Sequence, residues 1–402
     1  YAIMKFLDLG QQPIANAFLT PGKCENEFFY DLEVGVDLET SLVSHIDFVP
    51  PSMMFNDTYV YHTSSSKTMV KHFRSVAKEI KRDFGDVKIL EIGSNDGTFI
   101  KNFDLDKTVA VEPCGNFAKL TTKMGYTTHN EFWSQKLAVQ LAHRHNRFDV
   151  IYSANCMCHI QDLDSAFRAI YYALDDNGVF IFEDPSLLEM LERNSYDQIY
   201  DEHAHIFSVT ALNNILHTMG FEIFRVDKTL IHGGSNRIFV RKKHSINNPP
   251  DGSLDIELEQ EDLAGISNKQ TYLDFADRVE VSKHKLLELL HDIKDGGNKI
   301  VSYGATSKST SVFNYCGIGP DLIDYITDTT PDKQGKLSPG VHIPVVSPKE
   351  GFDDSVDYAF LGAWNFLEEI TKKESKFLRR GGQFITHVPE VRTLRGEPIC
   401  QP

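Results

Sequence analysis

The chain has 402 residues, 41% of them hydrophobic and 24% charged, with a formal net charge of −16 at pH 7. That length exceeds one ordinary core and predicts two or three domains. The negative balance argues against nucleic acid or an anionic membrane as partner, while a small anionic ligand could still sit at a helix N-terminus. No apolar run approaches a membrane span, and no basic-then-apolar leader opens the sequence. Six scattered cysteines (Cys24, Cys114, Cys156, Cys158, Cys316 and Cys400) form no CxxC pair. A reducing cytoplasm is therefore the expected compartment.

Residues 1–70 read as short strands and loops, in "FLDLGQQPIANAFLTP" and "FFYDLEVGVDLETSLVSHIDFVPP". From Ser64 the spacing of Met69, Val70, Phe73, Val76 and Ile80 predicts a helix. An alternating series follows within 71–245: strands at "VKILEIG", "TVAVEP", "FDVIYSA" and "GVFIFEDP", with helices such as "QDLDSAFRAIYYAL" between them. Such alternation predicts a parallel, doubly wound sheet. The polar stretch "HSINNPPDGSLD" is a candidate linker. Beyond it, 246–402 opens on a long amphipathic helix, "FADRVEVSKHKLLELLHDIKDGG". A second α/β series follows at "KIVSYGA", "LIDYITD", "DYAFLGA" and "GGQFITHVP". The expected architecture is α/β: a small N-terminal module, a Rossmann-like middle domain and a second Rossmann-like C-terminal domain.

"ILEIGSNDGTFI" puts Glu91, Gly93, Asn95, Asp96 and Gly97 directly after the first strand of the middle series. Glycines there permit a tight turn and close approach of a ligand to the backbone. The spacing is neither GxGxxG nor a phosphate-binding P-loop. "VAVEP" ends the second strand with Glu112 and Pro113, where a carboxylate can accept both ribose hydroxyls. An acidic loop suits a cationic cofactor without phosphate. The pair of motifs resembles motifs I and II of class I methyltransferases, which implies S-adenosylmethionine rather than NAD.

The opening of the last α/β unit, "SYGATSKSTSVFNY", exposes a helix N-terminus with Ser307 and Lys308, which suits a diphosphate. "DTTPDKQGKLSPG" reads either as a loop near that site or as a plain connector.

Ordered motifs run nearly end to end: "LDLGQQPIANAFL", "MFNDTYVYHTSSS", "LEIGSNDGTF", "ANCMCHI", "YDEHAHIFS", "HGGSNRIFV", "SYGATSKSTSVFNYCGIG", "DTTPDKQGKLSPGVHIPV" and "AWNFLEEI". Together they resemble the three-domain C-methyltransferases of nucleotide-linked deoxysugars, the tetronitrose-type sugar 3-C-methyltransferases. The resemblance implies methylation at C3 of a dTDP-linked 4-keto deoxysugar, in which a base removes the acidified proton to give an enolate. By the same resemblance His203 is the base, with Tyr200 and Glu202 shaping the sugar pocket. Asn155 and His159 donate to the sugar's oxygens. Tyr59 and Tyr61 close the cleft from the N-terminal module or serve as packing anchors. His232 and Arg237 complete the substrate side, Arg237 gripping a phosphate or a carboxylate. His205 reads as a satisfied histidine, and Asp197 and Asp201 as solvated.

One departure concerns metal. Relatives hold a structural zinc through four cysteines in the N-terminal module, and Asp37 and Thr40 stand where one pair would align. Cys24 alone cannot form such a site, so no metal is expected, and the module should hold by its own core or by docking on the middle domain. A monomer or small homo-oligomer is expected. Two rivals stay open: an O- or N-methyltransferase on the same scaffold, and a non-catalytic sugar-nucleotide binding protein.

Overall fold

A computed structural model describes residues 3–395; Cys400 lies outside them. The N-terminal strands β1 (Ile3–Pro13), β2 (Phe29–Asp37) and β3 (Leu42–His45) form an antiparallel sheet in the order β1-β2-β3-β9. The fourth strand, β9 (His205–Ile206), arrives from far along the chain and pairs with β3. Alternate residues Val34, Val36 and Val43 are buried, as expected for a sheet with one covered face. That face packs on Tyr272, Phe275 and Val279 of the helix Lys269–Asp295, and on Val312 and Phe313 of the helix Ser307–Cys316. The module thus docks through this face on C-terminal helices. It docks on the middle of the chain through the β3–β9 pairing, the apolar residues Leu187, Leu188, Met190 and Leu191, and hydrogen bonds such as Asn16 Nδ2 to Glu202. The sequence predicts support from the module's own core or from docking on the middle domain, and the apolar faces of two C-terminal helices add a support that it does not signal.

The middle sheet has seven strands in the order β10-β11-β8-β7-β4-β5-β6. In chain order these are β4 (Ile89–Ile92), β5 (Thr108–Val111), β6 (Thr127–His129), β7 (Phe148–Ala154), β8 (Leu174–Pro185), β10 (Phe221–Thr229) and β11 (Ser235–Lys242). β4 to β8 pair in parallel, and β11 runs antiparallel to both β8 and β10. Every residue of β4 and β5 is buried, because helices cover both faces. Among them is the helix Lys67–Phe84, capped by the Ser66 hydroxyl, which accepts from Met69 N at 3.3 Å. Met69, Phe73, Val76 and Ile80 are buried on it, while Val70 sits at the stripe's edge, half-buried.

The third sheet follows the order β14-β13-β12-β15-β16-β17. Its strands are β12 (Ile300–Tyr303), β13 (Ile326–Thr327), β14 (Val345–Val346), β15 (Tyr358–Leu361), β16 (Gln383–Thr386) and an antiparallel β17 (Arg392–Leu394). Both Rossmann-like sheets reverse their order beside their first strand, at β4/β7 and at β12/β15. Those switch points are where such sheets open a cleft at their carboxyl ends. Among the described residues no helix is long and apolar enough to cross a membrane.

Candidate active site

A cavity of about 580 Å³ opens at the carboxyl ends of β4, β5 and β7, roofed by residues 51–63 of the N-terminal module. Gly93, at φ +79°, forms its floor; a Cβ there would stand 2.8 Å from Cys156 Sγ, so the turn tolerates no side chain. Glu91 is buried with Oε2 unpartnered, and burial followed by the neighbouring Glu112 pushes its carboxyl well above the ordinary value. A buried acid without a partner is a ready acceptor for a cationic ligand. Glu112 accepts from Asn95 N at 2.6 Å and Cys114 N at 2.9 Å, which fixes its orientation and leaves lone pairs for hydroxyls. Pro113, Phe132 and Trp133 supply apolar walls. These residues fit S-adenosylmethionine: an acid for its cationic end, a fixed carboxylate for its ribose and flat walls for its base.

Asn95, at φ +48°, ties the roof down: Oδ1 accepts from Thr63 N at 3.0 Å and Nδ2 donates to Tyr61 O at 3.0 Å. Asp96 does the same by accepting from Ser64 N at 2.9 Å. Asp96 and Gly97 do not line the cavity; they shape the turn beneath it.

The stretch 196–207 lies beside this cavity and is buried throughout. Asp197 and Asp201, expected in solvent, are 0% and 2% exposed. Asp201 accepts from Ala15 N at 2.8 Å, and Asp197 from Trp364 Nε1 at 2.6 Å. His203 Nδ1 lies 2.5 Å from Gln198 O; a carbonyl only accepts, so Nδ1 carries the proton and Nε2 the lone pair. The Tyr200 hydroxyl lies 3.0 Å from that Nε2. Burial, then His159 and Lys308, hold His203 well below the usual histidine range, which keeps it neutral. His159 stacks on His203 with ring centroids 5.4 Å apart, opens onto the cavity and has Nε2 unpartnered. Asn155, at φ +50°, also lines the cavity and has Oδ1 unpartnered.

Glu202 accepts from Asn16 Nδ2 at 2.7 Å and from the Tyr59 hydroxyl at 3.1 Å. Burial and the adjacent Asp201 push its carboxyl up to about 8, and burial pushes Asp201 to about 7. Tyr61 and His232 line the cavity. Lys308, in the first turn of the helix Ser307–Cys316, stands within electrostatic reach of His203, His232, Asp197 and Glu202. Ser307 opens that helix behind the Thr306 cap. Arg237 is committed elsewhere: it donates to Glu183 at 2.9 Å and Glu79 at 3.0 Å, so carboxylates of this chain already hold it. His205 is bonded at both nitrogens, to Ser44 Oγ at 2.8 Å and Ile160 O at 3.0 Å.

Sequence reasoning missed Gln198, Asn16, Trp364 and Lys333. The last donates to Ala305 O at 2.7 Å and lies within electrostatic reach of Glu202, which brings the "DTTPDKQGK" loop to the site. Each of these acts on a partner distant in the chain or through a backbone atom, and neither leaves a sequence signal.

For metals, the ligand atoms of Cys158, His159 and His203 lie within 4.8 Å of one another. Both His203 nitrogens are engaged, so a cation there would have to displace Tyr200. In the N-terminal module Asp37 accepts from Glu39 N and from the Thr40 hydroxyl, each at 3.0 Å, and Cys24 is its single cysteine. This donor set does not fit a four-ligand zinc site.

Three family models tile the chain: a methyltransferase domain over 68–226, a C-methyltransferase C-terminal domain over 230–389, and a zinc binding domain over 2–55. The C-methyltransferase NovU of Streptomyces niveus is 29% identical over 97% of this chain and 94% of its own length. Among solved structures, magnesium protoporphyrin IX methyltransferase of Synechocystis PCC 6803 with bound S-adenosylmethionine is 12% identical. It matches 43% of this chain and 79% of its own, with a TM-score of 0.32. A carbon methyltransferase, CurJ, is 14% identical over 46% of this chain and 57% of its own, with a TM-score of 0.33.

Proposed function

Because the chain belongs to the S-adenosylmethionine-dependent C-methyltransferases described by these models, we propose that it methylates C3 of a nucleotide-linked 4-keto deoxysugar, dTDP-linked by resemblance, through an enolate. In this reading residues 1–70 roof the cofactor, 71–245 bind it, and 246–402 bind the sugar nucleotide. The observation that carries the reading is the fixed tautomer of His203, whose Nε2 lone pair stands beside the cavity wall.

Putting methyl on carbon requires a nucleophilic carbon, and a neutral imidazole buried beside the cofactor is suited to making one. His203 Nε2 takes the C3 proton, with the Tyr200 hydroxyl yielding its place as the sugar enters. The imidazolium that forms is oriented by Gln198 O, which accepts from its Nδ1. Asn155 and His159 present unpartnered polar atoms toward the sugar's oxygens, and the Lys308 ammonium offers positive charge for the enolate or the diphosphate. When bound, S-adenosylmethionine supplies the electrophilic methyl group. Tyr59, held by Glu202, and Tyr61 keep water from this chamber.

The test is exchange of the C3 proton with deuterated solvent in the absence of methyl donor. Exchange by the native protein and its loss in His203→Ala support the enolate. Methylation of a sugar that lacks a ketone, with no exchange, would sink it in favour of O- or N-transfer.

A further inference from the structure

"AWNFLEEI" carries no chemistry in the scheme above, yet its Trp364 meets two other motifs at once. The indole Nε1 donates to Asp197 Oδ2 at 2.6 Å, and both residues are buried. The ring also closes on Gly233, where an added Cβ would stand 2.0 Å from Trp364 Cη2. Gly233 follows His232, a non-glycine residue at φ +52° in the left-handed region, a conformation that surrounding contacts must hold.

Gln198 joins the two ends of this clamp. It follows Asp197 in the chain, its Nε2 donates to His232 O at 2.5 Å, and its own carbonyl accepts from His203 Nδ1 at 2.5 Å. The Trp364 indole therefore grips both sides of the one residue that sets the tautomer and aim of His203. The Asp197 carboxylate also has His387 Nε2 at 3.1 Å and lies within electrostatic reach of Lys308. The same clamp holds His232, which lines the cavity, while Glu91, Gly93 and Glu112 stand on other elements of the cavity wall.

We propose that Trp364 is a positioning residue: it orients the His203 base from the C-terminal sheet through Asp197 and Gln198, without touching the reacting atoms. The proposal rests on the assignment of His203 as base, and its test separates the two. Trp364→Phe keeps the ring against Gly233 and deletes the N–H. A hydrogen bond to a buried carboxylate lost from the aim of a base predicts a fall in kcat of about tenfold or more. The Kd of S-adenosylhomocysteine and the sugar's KM should stay within about twofold. In a His203→Ala background the same change should cost nothing further, because the base it orients is gone. The ring N–H resonance of His203 in histidine-labelled protein should move in Trp364→Phe, a readout that needs no substrate. Unchanged kcat with an unmoved resonance would overturn the proposal, as would an equal loss of kcat in both backgrounds. Absence of C3 exchange in the native protein would instead defeat the enolate reading, and the resonance alone would then decide for or against positioning.

Discussion

Two pairs of buried carboxylates flank the reaction chamber and are held in opposite ways. Glu112, beside Glu91, is bonded to the backbone of Asn95 and Cys114, residues within 17 positions on the same sheet edge. Asp201 and Glu202 are bonded to Ala15, Asn16 and Tyr59, between 143 and 186 positions away in the N-terminal module. The first pair stands on two adjacent strands of one sheet, Glu91 in β4 and Glu112 just after β5. The second exists only when separate parts of the chain assemble. The carboxylate contacts of the cofactor should therefore survive substitution of the base, whereas the roof of residues 51–63 is shared by both sides.

The sharpest way to break this comparison is His203→Ala. Loss of a general base predicts a fall in turnover of about 10³-fold, while calorimetry with S-adenosylhomocysteine should give an unchanged Kd. A parallel loss of cofactor binding would show that the two halves are one site. Glu91→Gln is the converse. Losing a charge-assisted bond predicts cofactor affinity lower by about tenfold or more. Burial and the neighbouring Glu112 raise the Glu91 carboxyl, so pairing with a cationic ligand favours release of its proton. Affinity should fall as pH is lowered, and binding heat should vary with the ionisation enthalpy of the buffer. Glu91→Gln should abolish that buffer dependence and leave C3 exchange intact.

The assembled pair can be read through stability. Folding raises Asp201 from 3.8 to about 7 and Glu202 from 4.5 to about 8. The folded chain therefore binds more protons than the unfolded one between those values. The sign follows: their contribution is complete below about pH 4 and is lost as pH rises through about 8. Glu202→Gln should flatten that decline by on the order of 1–3 kcal/mol between pH 5 and pH 9, measured by denaturant unfolding. An unchanged slope would mean that Asp201 alone carries the coupling. Tyr59→Phe, which removes one neutral donor, should cost about 1 kcal/mol and change kcat only a few-fold.

The same division decides what the sequence could reveal. The loop of Glu91 and Gly93, the acid ending β5, and the helix from Lys67 were legible, because periodicity, caps and glycine turns are local signals. Asp197 and Asp201 read as solvated because "YDQIYDEHAHIF" has the composition of a surface helix. What buries them, Ala15 and Trp364, lies in other motifs. Arg237 stood open to a phosphate or a carboxylate until Glu183 and Glu79 were found beside it. A polar residue's partner is a tertiary fact. The family resemblance marked His203 and His159 as site residues, yet only the structure gives the hydrogen bond that fixes the tautomer.

The smallest expected effect concerns the N-terminal module, matched by a zinc binding model yet built here without a zinc donor set. The β2–β3 turn is closed by Asp37, which accepts from Glu39 N and Thr40 Oγ1, while β3 gains β9 on its open side. The module's inner face is covered by the helix Lys269–Asp295. Each role that a metal clip would serve, closing a turn and holding strands in register, is met by hydrogen bonds and apolar contact. Prolonged chelation should therefore move the thermal midpoint by less than about 1 °C. Asp37→Ala, which frees an exposed N–H and a hydroxyl, should lower it by about 2 °C. A fall of about 10 °C on chelation, restored by zinc, would show that a cation carries load that the turn does not. In that event the base loop, which shares β9 with this sheet, would lose activity alongside.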